Sequence, residues 1–389
     1  MGSIVEKSKL NLHFRSCVRV DDKLYFSEAY FNGLFQIDLN DFSVKFICHF
    51  SEESKEKVLM HGGHAIQYKD VIYFFPSGIK RIHYYNLITG EENNISFPPI
   101  RDKEFVVSGI LQKDNRIWLF SAELVNGVFV LDVEKKRITK AEILSELLLK
   151  YDKVTKYVEI PEEGKLFTYC AADCKLLEID VETEQIKEYS VPIENANIVA
   201  INYHEGKFYF IAGSSGDLYE WERNDVRLRK FVAQDVEMGL IKDFPFYNCC
   251  FVGDDIYMIP CRSKYVMRIE KDRGIMKKAF DYPEEFQYIE SVQGDYKPSV
   301  MQRVEIIRNE IWFYPYGGNQ LLIYDTKSGQ IIGKKITIDI KEVLPCEGMI
   351  LEKDEEVLEY FCHGIKKAIN DVGTKNFQVG EKIYKAIRQ

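Results

Sequence analysis

The sequence predicts an all-β fold: a seven-bladed β-propeller of four-stranded antiparallel blades, with short C-terminal α-helices. Three observations carry that expectation. A hairpin unit recurs seven times, further apolar runs precede and follow each copy, and the 24 Tyr and 25 Phe among 389 residues suit pleated strands.

The hairpin unit is plainest in KLYFSEAYFNGLFQID (23–38) and KLFTYCAADCKLLEID (165–180). Each has an aromatic in an apolar strand, a short polar turn, and a second apolar strand ending in an acidic residue. The reference aromatics are Tyr25, Tyr73, Trp118, Phe167, Tyr209, Tyr257 and Trp312, and the closing residues are Asp38, Asn86, Asp132, Asp180, Glu222, Glu270 and Asp325. The two stand 13 residues apart in six units and 14 in the third, where VNGVF adds one. Such constancy fixes a hairpin register. From one reference aromatic to the next the distance runs 48, 45, 49, 42, 48 and 55 residues, so the variation lies in connections, as it does in loops.

Ahead of the hairpins lie SCVRV, HAIQY, SGILQ, KYVEI, IVAINY, NCCFV and MQRVEII, and behind them VKFI, NNISF, RITKAEI, IKEYSV, RLRKFV, MKKAF and IIGKKI. The propeller is therefore expected over residues 12–340, with blades at about 12–50, 58–99, 104–142, 153–192, 196–233, 245–281 and 299–339. After the third blade, Ile143, Leu144, Leu147 and Leu148 fall at helical spacing and predict a helix over about 140–151. A helical extension is expected over 341–389. There Val357, Leu358, Phe361, Ile365 and Ile369 share a helical face behind Asp354 as a candidate cap, and GEKIYKAI forms a second helix. Either residues 3–10 or 346–351 could supply a strand that latches the first blade to the last; the sequence leaves this open.

A closing polar residue in all seven units, acidic in six, points to structure, since a side chain at a strand end accepts hydrogen bonds from turn amides two or three residues on. The elements DVETEQIKEYS, NLITGEENNIS and DTKSGQIIGKK resemble the repeats of YVTN-type and quinoprotein-type propellers. That resemblance implies the fold and assigns no catalytic residue. The Gly-His and Trp-Asp pair of WD40 blades, the regular Gly-Gly of kelch blades and the Asp-box of sialidases are missing. The ending GEKIYKAI is similar to the termini of some bacterial envelope-glycan biosynthesis proteins.

A formal charge of −9 with no dense Lys/Arg run argues against a nucleic-acid partner. The N-terminus has no signal-peptide core and no run of apolar residues is long enough for a membrane span, so a cytoplasmic protein is expected. Nine cysteines in such a chain are expected as free thiols, and the CxxxC of CAADC (170–174) lacks a companion pair for zinc. No nucleotide-binding or nucleophile-elbow motif is present, and neither a cofactor nor a resident metal is expected.

Candidate site residues come from comparing blades by column. Nine positions before the reference aromatic stand Ser16, His64, Gly109, Val158, Ala200, Asn248 and Arg303. An imidazole, an amide and a guanidinium in one innermost ring suit an anionic or carbonyl-bearing ligand. His64 belongs to HGGH, whose His61 converges with it only if Gly62 and Gly63 turn tightly; a metal-binding pair and a hydrogen-bonded structural histidine are the alternatives. For Arg303 the alternative is an ion pair with Glu305 or a neighbouring blade, and for Asn248 the satisfaction of backbone groups. The hairpin turns offer a second ring of Glu28, Lys80, Glu123, Asp173, Arg262 and Asn319, accompanied by Tyr30, Phe31, Tyr314 and Tyr316 for stacking on a sugar or a peptide. The expected function is recognition of a peptide or protein segment, or of a carbohydrate-like ligand, through His61, His64, Asn248, Arg303, Arg262, Tyr30 and Tyr316. The rival is a lyase, epimerase or hydrolase with His64 as general acid/base, Arg303 holding an anion or oxyanion, and Glu28 as the accompanying carboxylate.

Overall fold

A computed structural model of the chain describes residues 9–343 apart from 30, 55–58, 101–104, 152, 161–162, 194–195, 233–244, 262, 264 and 288–299, and without the side chains of 63, 64, 302, 340 and 341. Seven four-stranded antiparallel sheets follow one another along the chain, each ordered as its strands occur in sequence. The first blade is Phe14–Val20, Lys23–Glu28, Leu34–Asp38 and Val44–Cys48, and the seventh is Met301–Ile307, Glu310–Pro315, Leu321–Asp325 and Ile331–Lys334. The protein is a seven-bladed β-propeller.

Period-2 alternation gives each blade two faces, and both are buried against neighbours. Seven apolar clusters result. One joins Tyr25, Leu34 and Phe50 to Ile72 and Phe74 across blades one and two, and another joins Phe14, Phe26 and Phe35 to Trp312, Tyr314 and Ile323 across blades one and seven. The remaining five likewise draw on consecutive blades. The ring is therefore closed. All seven reference aromatics are buried, which is why the repeat demands a bulky residue there.

Closure uses a separate device. Lys9–Asn11 pairs antiparallel with Thr337–Asp339 as a two-stranded sheet of its own, Leu10 opposite Ile338, and the Leu12 amide donates to the Ile336 carbonyl at 2.9 Å. Leu12, Ile336, Ile338 and Val343 extend the cluster between the first and last blades. Among the described residues, neither of those blades borrows a strand.

The repeated acid has its structural role. Oδ1 of Asp38 accepts from Asn40 N, and that of Asn86 from Ile88 N and Thr89 N. Those of Asp132, Asp180 and Asp325 each accept from two turn amides in the same way. Glu222 and Glu270 are one methylene longer and depart from this pattern; Glu270 pairs instead with Lys277 and Arg273. The helix after blade three is Glu142–Leu148, with Leu144 and Leu148 buried and Ile143 exposed. Ser145 anchors it, its hydroxyl donating to Ala141 O at 2.6 Å and accepting from Val128 N at 2.9 Å. The helices expected around 354–369 and GEKIYKAI lie outside the described residues. No described helix is long and apolar enough to cross a membrane. The seven described cysteines are free thiols.

Candidate ligand site in the central channel

The first strand of each blade is the innermost. In blades one, three, five, six and seven a bulge interrupts its pairing with the second strand, as between Phe14 and Ser16 or Met301 and Arg303. Beyond the bulge, Ser16, Gly109, Ala200, Asn248 and Arg303 occupy equivalent registers, opposite Ser27, Phe120, Ile211, Ile259 and Tyr314. The column read from the sequence is real in these blades.

Blade four corrects it. Six blades connect the first two strands through two residues, but blade four uses the four-residue PEEG, with Ile160 paired to Lys165. Counting back along that ladder, the ring position opposite Tyr169 is Lys156, and Val158 instead pairs with Phe167. Lys156 therefore joins the ring.

A cavity of about 840 Å³ occupies the centre, lined from six blades. Arg15, Lys156 and Arg303 bring positive charge to it from blades one, four and seven, with Ser108, Tyr247 and Asn248 among its polar groups; Glu159 is the one carboxylate among the described lining residues. Arg15 donates from Nε to His61 O at 2.8 Å and from Nη2 to Ser77 Oγ at 3.1 Å, and its guanidinium lies 5.3 Å over the Tyr316 ring. Arg303 donates to the Cys17 carbonyl across the junction of the first and last blades. Glu305, whose Oε2 accepts from Tyr314 at 2.7 Å, lies close enough to act on Arg303 electrostatically without forming an ion pair. None of the three cations is ion-paired with a described carboxylate, whereas at the blade surfaces the same residue types pair routinely.

Lys156 is open to the channel by surface area although protein encloses it on all sides. That enclosure, followed by the charge of Arg303, lowers its pKa below the ordinary lysine value. Burial likewise raises the pKa of Glu159 and pushes the Tyr247 phenol above its usual range, so the channel disfavours a proton-free tyrosine and an anionic glutamate. A ligand anion entering there would relieve uncompensated positive charge.

The other expected residues separate. Asn248 lines the cavity, and its Oδ1 accepts from the Cys249 amide at 2.9 Å. His61 is not on the face: it is fully buried against Phe50 and Phe74, and its Nε2 lies 2.9 Å from Nδ1 of His83. Because His83 Nε2 approaches the Ser51 carbonyl at 3.1 Å, it must donate there. His83 Nδ1 is then the acceptor and His61 Nε2 the donor, leaving His61 Nδ1 as a buried lone pair. The His64 backbone continues the same strand, Gly62 and Gly63 making no turn that would bring the two histidines together; the His64 side chain lies outside those described.

Glu28 is 2% exposed, accepting from the amides of His13 and Phe31 at 3.0 Å each, so it organises the turn and does not line the cavity. The expected stacking aromatics are also displaced. Phe31 and Tyr314 are buried in the cluster between blades one and seven, and Tyr316 is buried beneath the Arg15 guanidinium. Tyr30 and Arg262 lie outside the described residues. No group of three metal-ligating side chains stands together among the described residues. Reading the sequence by column missed Arg15, which sits within the bulge, and Lys156, which the length of PEEG could have revealed.

No protein-family model matches this sequence, and no curated protein does. Solved structures do. Virginiamycin B lyase from Staphylococcus aureus is similar at 14% identity with a TM-score of 0.55, covering 79% of this chain and 95% of that one. YCF48 from Cyanidioschyzon merolae is similar at 7% identity with a TM-score of 0.59, over 82% of this chain and 97% of that one. The extracellular domain of the putative hybrid two-component system BT4673 from B. thetaiotaomicron is similar at 11% identity and a TM-score of 0.53, over 82% of this chain and 41% of that one. At such identities the likeness is one of fold, and the neighbours' roles differ widely.

Proposed function

We propose that this protein is a ligand-recognition propeller whose central channel takes up the acidic group of a glycan-like ligand or of a peptide segment. The observation that carries the reading is the convergence of Arg15, Lys156 and Arg303 on one cavity of about 840 Å³, none of them ion-paired with a described carboxylate. Recognition here works chiefly through charge, with Tyr247 an aromatic in the lining and Tyr316 lying under the Arg15 guanidinium. A ring held by seven apolar clusters preorganises the three cations, so little ordering cost falls on binding. The enzyme reading gains less support, because the carboxylate it assigned is occupied by two backbone amides away from the cavity.

The test is a thermal-shift and calorimetric titration with sulfate, a uronic-acid oligosaccharide and an acidic peptide, on wild type and Arg303→Met. A charge-assisted hydrogen bond contributes about 1.5–3 kcal/mol, so the variant should bind about tenfold to a hundredfold more weakly. Rising salt should weaken binding further. Equal affinity of both proteins, or binding only by uncharged analogues, would sink the reading.

A further inference from the structure

We infer that Lys156 is a nucleophilic amine and that the channel's natural ligand carries an aldehyde or ketone beside its acidic group, held as an imine. This deepens the anion-recognition reading and rests on it. Lys156 is the one lysine among the described residues that line the cavity. Lys165, Lys207 and Lys230 each have a carboxylate partner within hydrogen-bond reach, whereas no described ion pair or hydrogen bond engages the Lys156 ammonium. It stands at an equivalent ring position to Arg303, and the two line the same cavity with Arg15. The Arg303 guanidinium acts on this unpaired amine and favours its neutral form, and Arg15 and Arg303 together supply the clamp for a carboxylate attached to the carbonyl.

The chemistry balances without an added reagent. The Nζ lone pair forms a C–N bond to the carbonyl carbon, and the carbonyl oxygen becomes a hydroxyl by taking a proton. The carbinolamine then loses that hydroxyl with one further proton as water. The net change is amine plus carbonyl giving imine plus water, with no oxidation or reduction until a hydride reagent is added to trap it.

The test uses glyoxylate, which joins an aldehyde to a carboxylate, and glycolaldehyde, its uncharged counterpart, each with cyanoborohydride at pH 7 and with peptide mapping by mass spectrometry. Lys156 should be alkylated by glyoxylate at least tenfold faster than the exposed Lys135, whose side chain is 77% accessible. It should lose that advantage with glycolaldehyde, in excess sulfate and in Arg303→Met. Lys156→Arg and Lys156→Gln should each abolish trapping at the site, and a cavity peptide still labelled in either variant would overturn the inference. Equal labelling of Lys156 and Lys135 overturns the inference. If sulfate binds the wild type and not Arg303→Met while Lys156 stays unlabelled, the inference falls and anion recognition stands. If neither sulfate nor glyoxylate engages the cavity, both fall.

Discussion

Replacing Leu12 by alanine isolates what the terminal clasp contributes. Leu12 is 2% exposed, packs among Phe14, Ile336, Ile338 and Val343, and holds the strand Lys9–Asn11 against Thr337–Asp339 through its own amide. Truncating a buried leucine removes its transfer free energy and leaves a cavity, together costing about 2–5 kcal/mol. An unfolding entropy of about 2.1 cal/mol/K per residue, over roughly 330 residues, gives about 0.7 kcal/mol/K. The melting temperature should therefore fall by about 3–7 °C if unfolding is one cooperative transition. Circular dichroism and intrinsic fluorescence should report the same drop. Ile88→Ala is the control: Ile88 is 76% exposed, and a surface change there should move the midpoint by less than about 1 °C. A Leu12→Ala shift as small as the control's would mean that the clasp is not seated on the ring and that the cluster between blades one and seven closes it unaided.

Three further outcomes follow from the same structure. Burial lowers the pKa of both His61 and His83, the latter to about 4, so the unfolded chain takes up protons first as the pH falls. Stability should be unaffected by these groups above pH 6.5 and decline from about 6.5 to 4, by about 3 kcal/mol from His83 alone; a melting profile in His83→Gln as steep as the wild type's would refute the assignment. Gly109→Ala should destabilise by about 1–3 kcal/mol in a urea titration, because a Cβ there would lie 2.5 Å from Cβ of Tyr157; an unchanged midpoint would show that blade four yields. Ser145→Ala should cost about 1–3 kcal/mol by the same assay, since it leaves the buried Val128 amide without its acceptor, and a neutral result would place that amide on another partner.

The repeat was legible because a bulky aromatic fills every seam and a short side-chain acceptor caps the turn in five of the units: Trp118 and Phe167 serve the first need, Asp180 and Asp325 the second. The column of ring residues was legible where the connection to the second strand has two residues. It slipped at PEEG, since two extra residues in a turn preserve which face a side chain takes but move every partner along the ladder. Arg15 was hidden by its bulge, which breaks the alternation that column counting assumes. His61 joined the expected site because it stands beside His64 at the start of the second blade's innermost strand. Its burial depends on His83, Phe50 and Ser51, contacts that only tertiary structure brings together. Tyr314 likewise owes its burial to a neighbour distant in sequence, Phe14 of the first blade.

The pairing of Lys9 with Asp339 spans about 330 residues, while the pairings within the first blade span 3 to 15. Because loop-closure entropy grows only logarithmically with length, joining such remote segments costs little more at equilibrium than joining near ones, but it must come late in folding. Before it forms, one molecule offers a second copy the same strand edge and apolar patch that it will use itself. At high concentration during refolding, exchange of this clasp would link two rings through contacts identical to the native ones. Both partners would keep seven intact blades, so the error would show in mass and hardly at all in secondary structure.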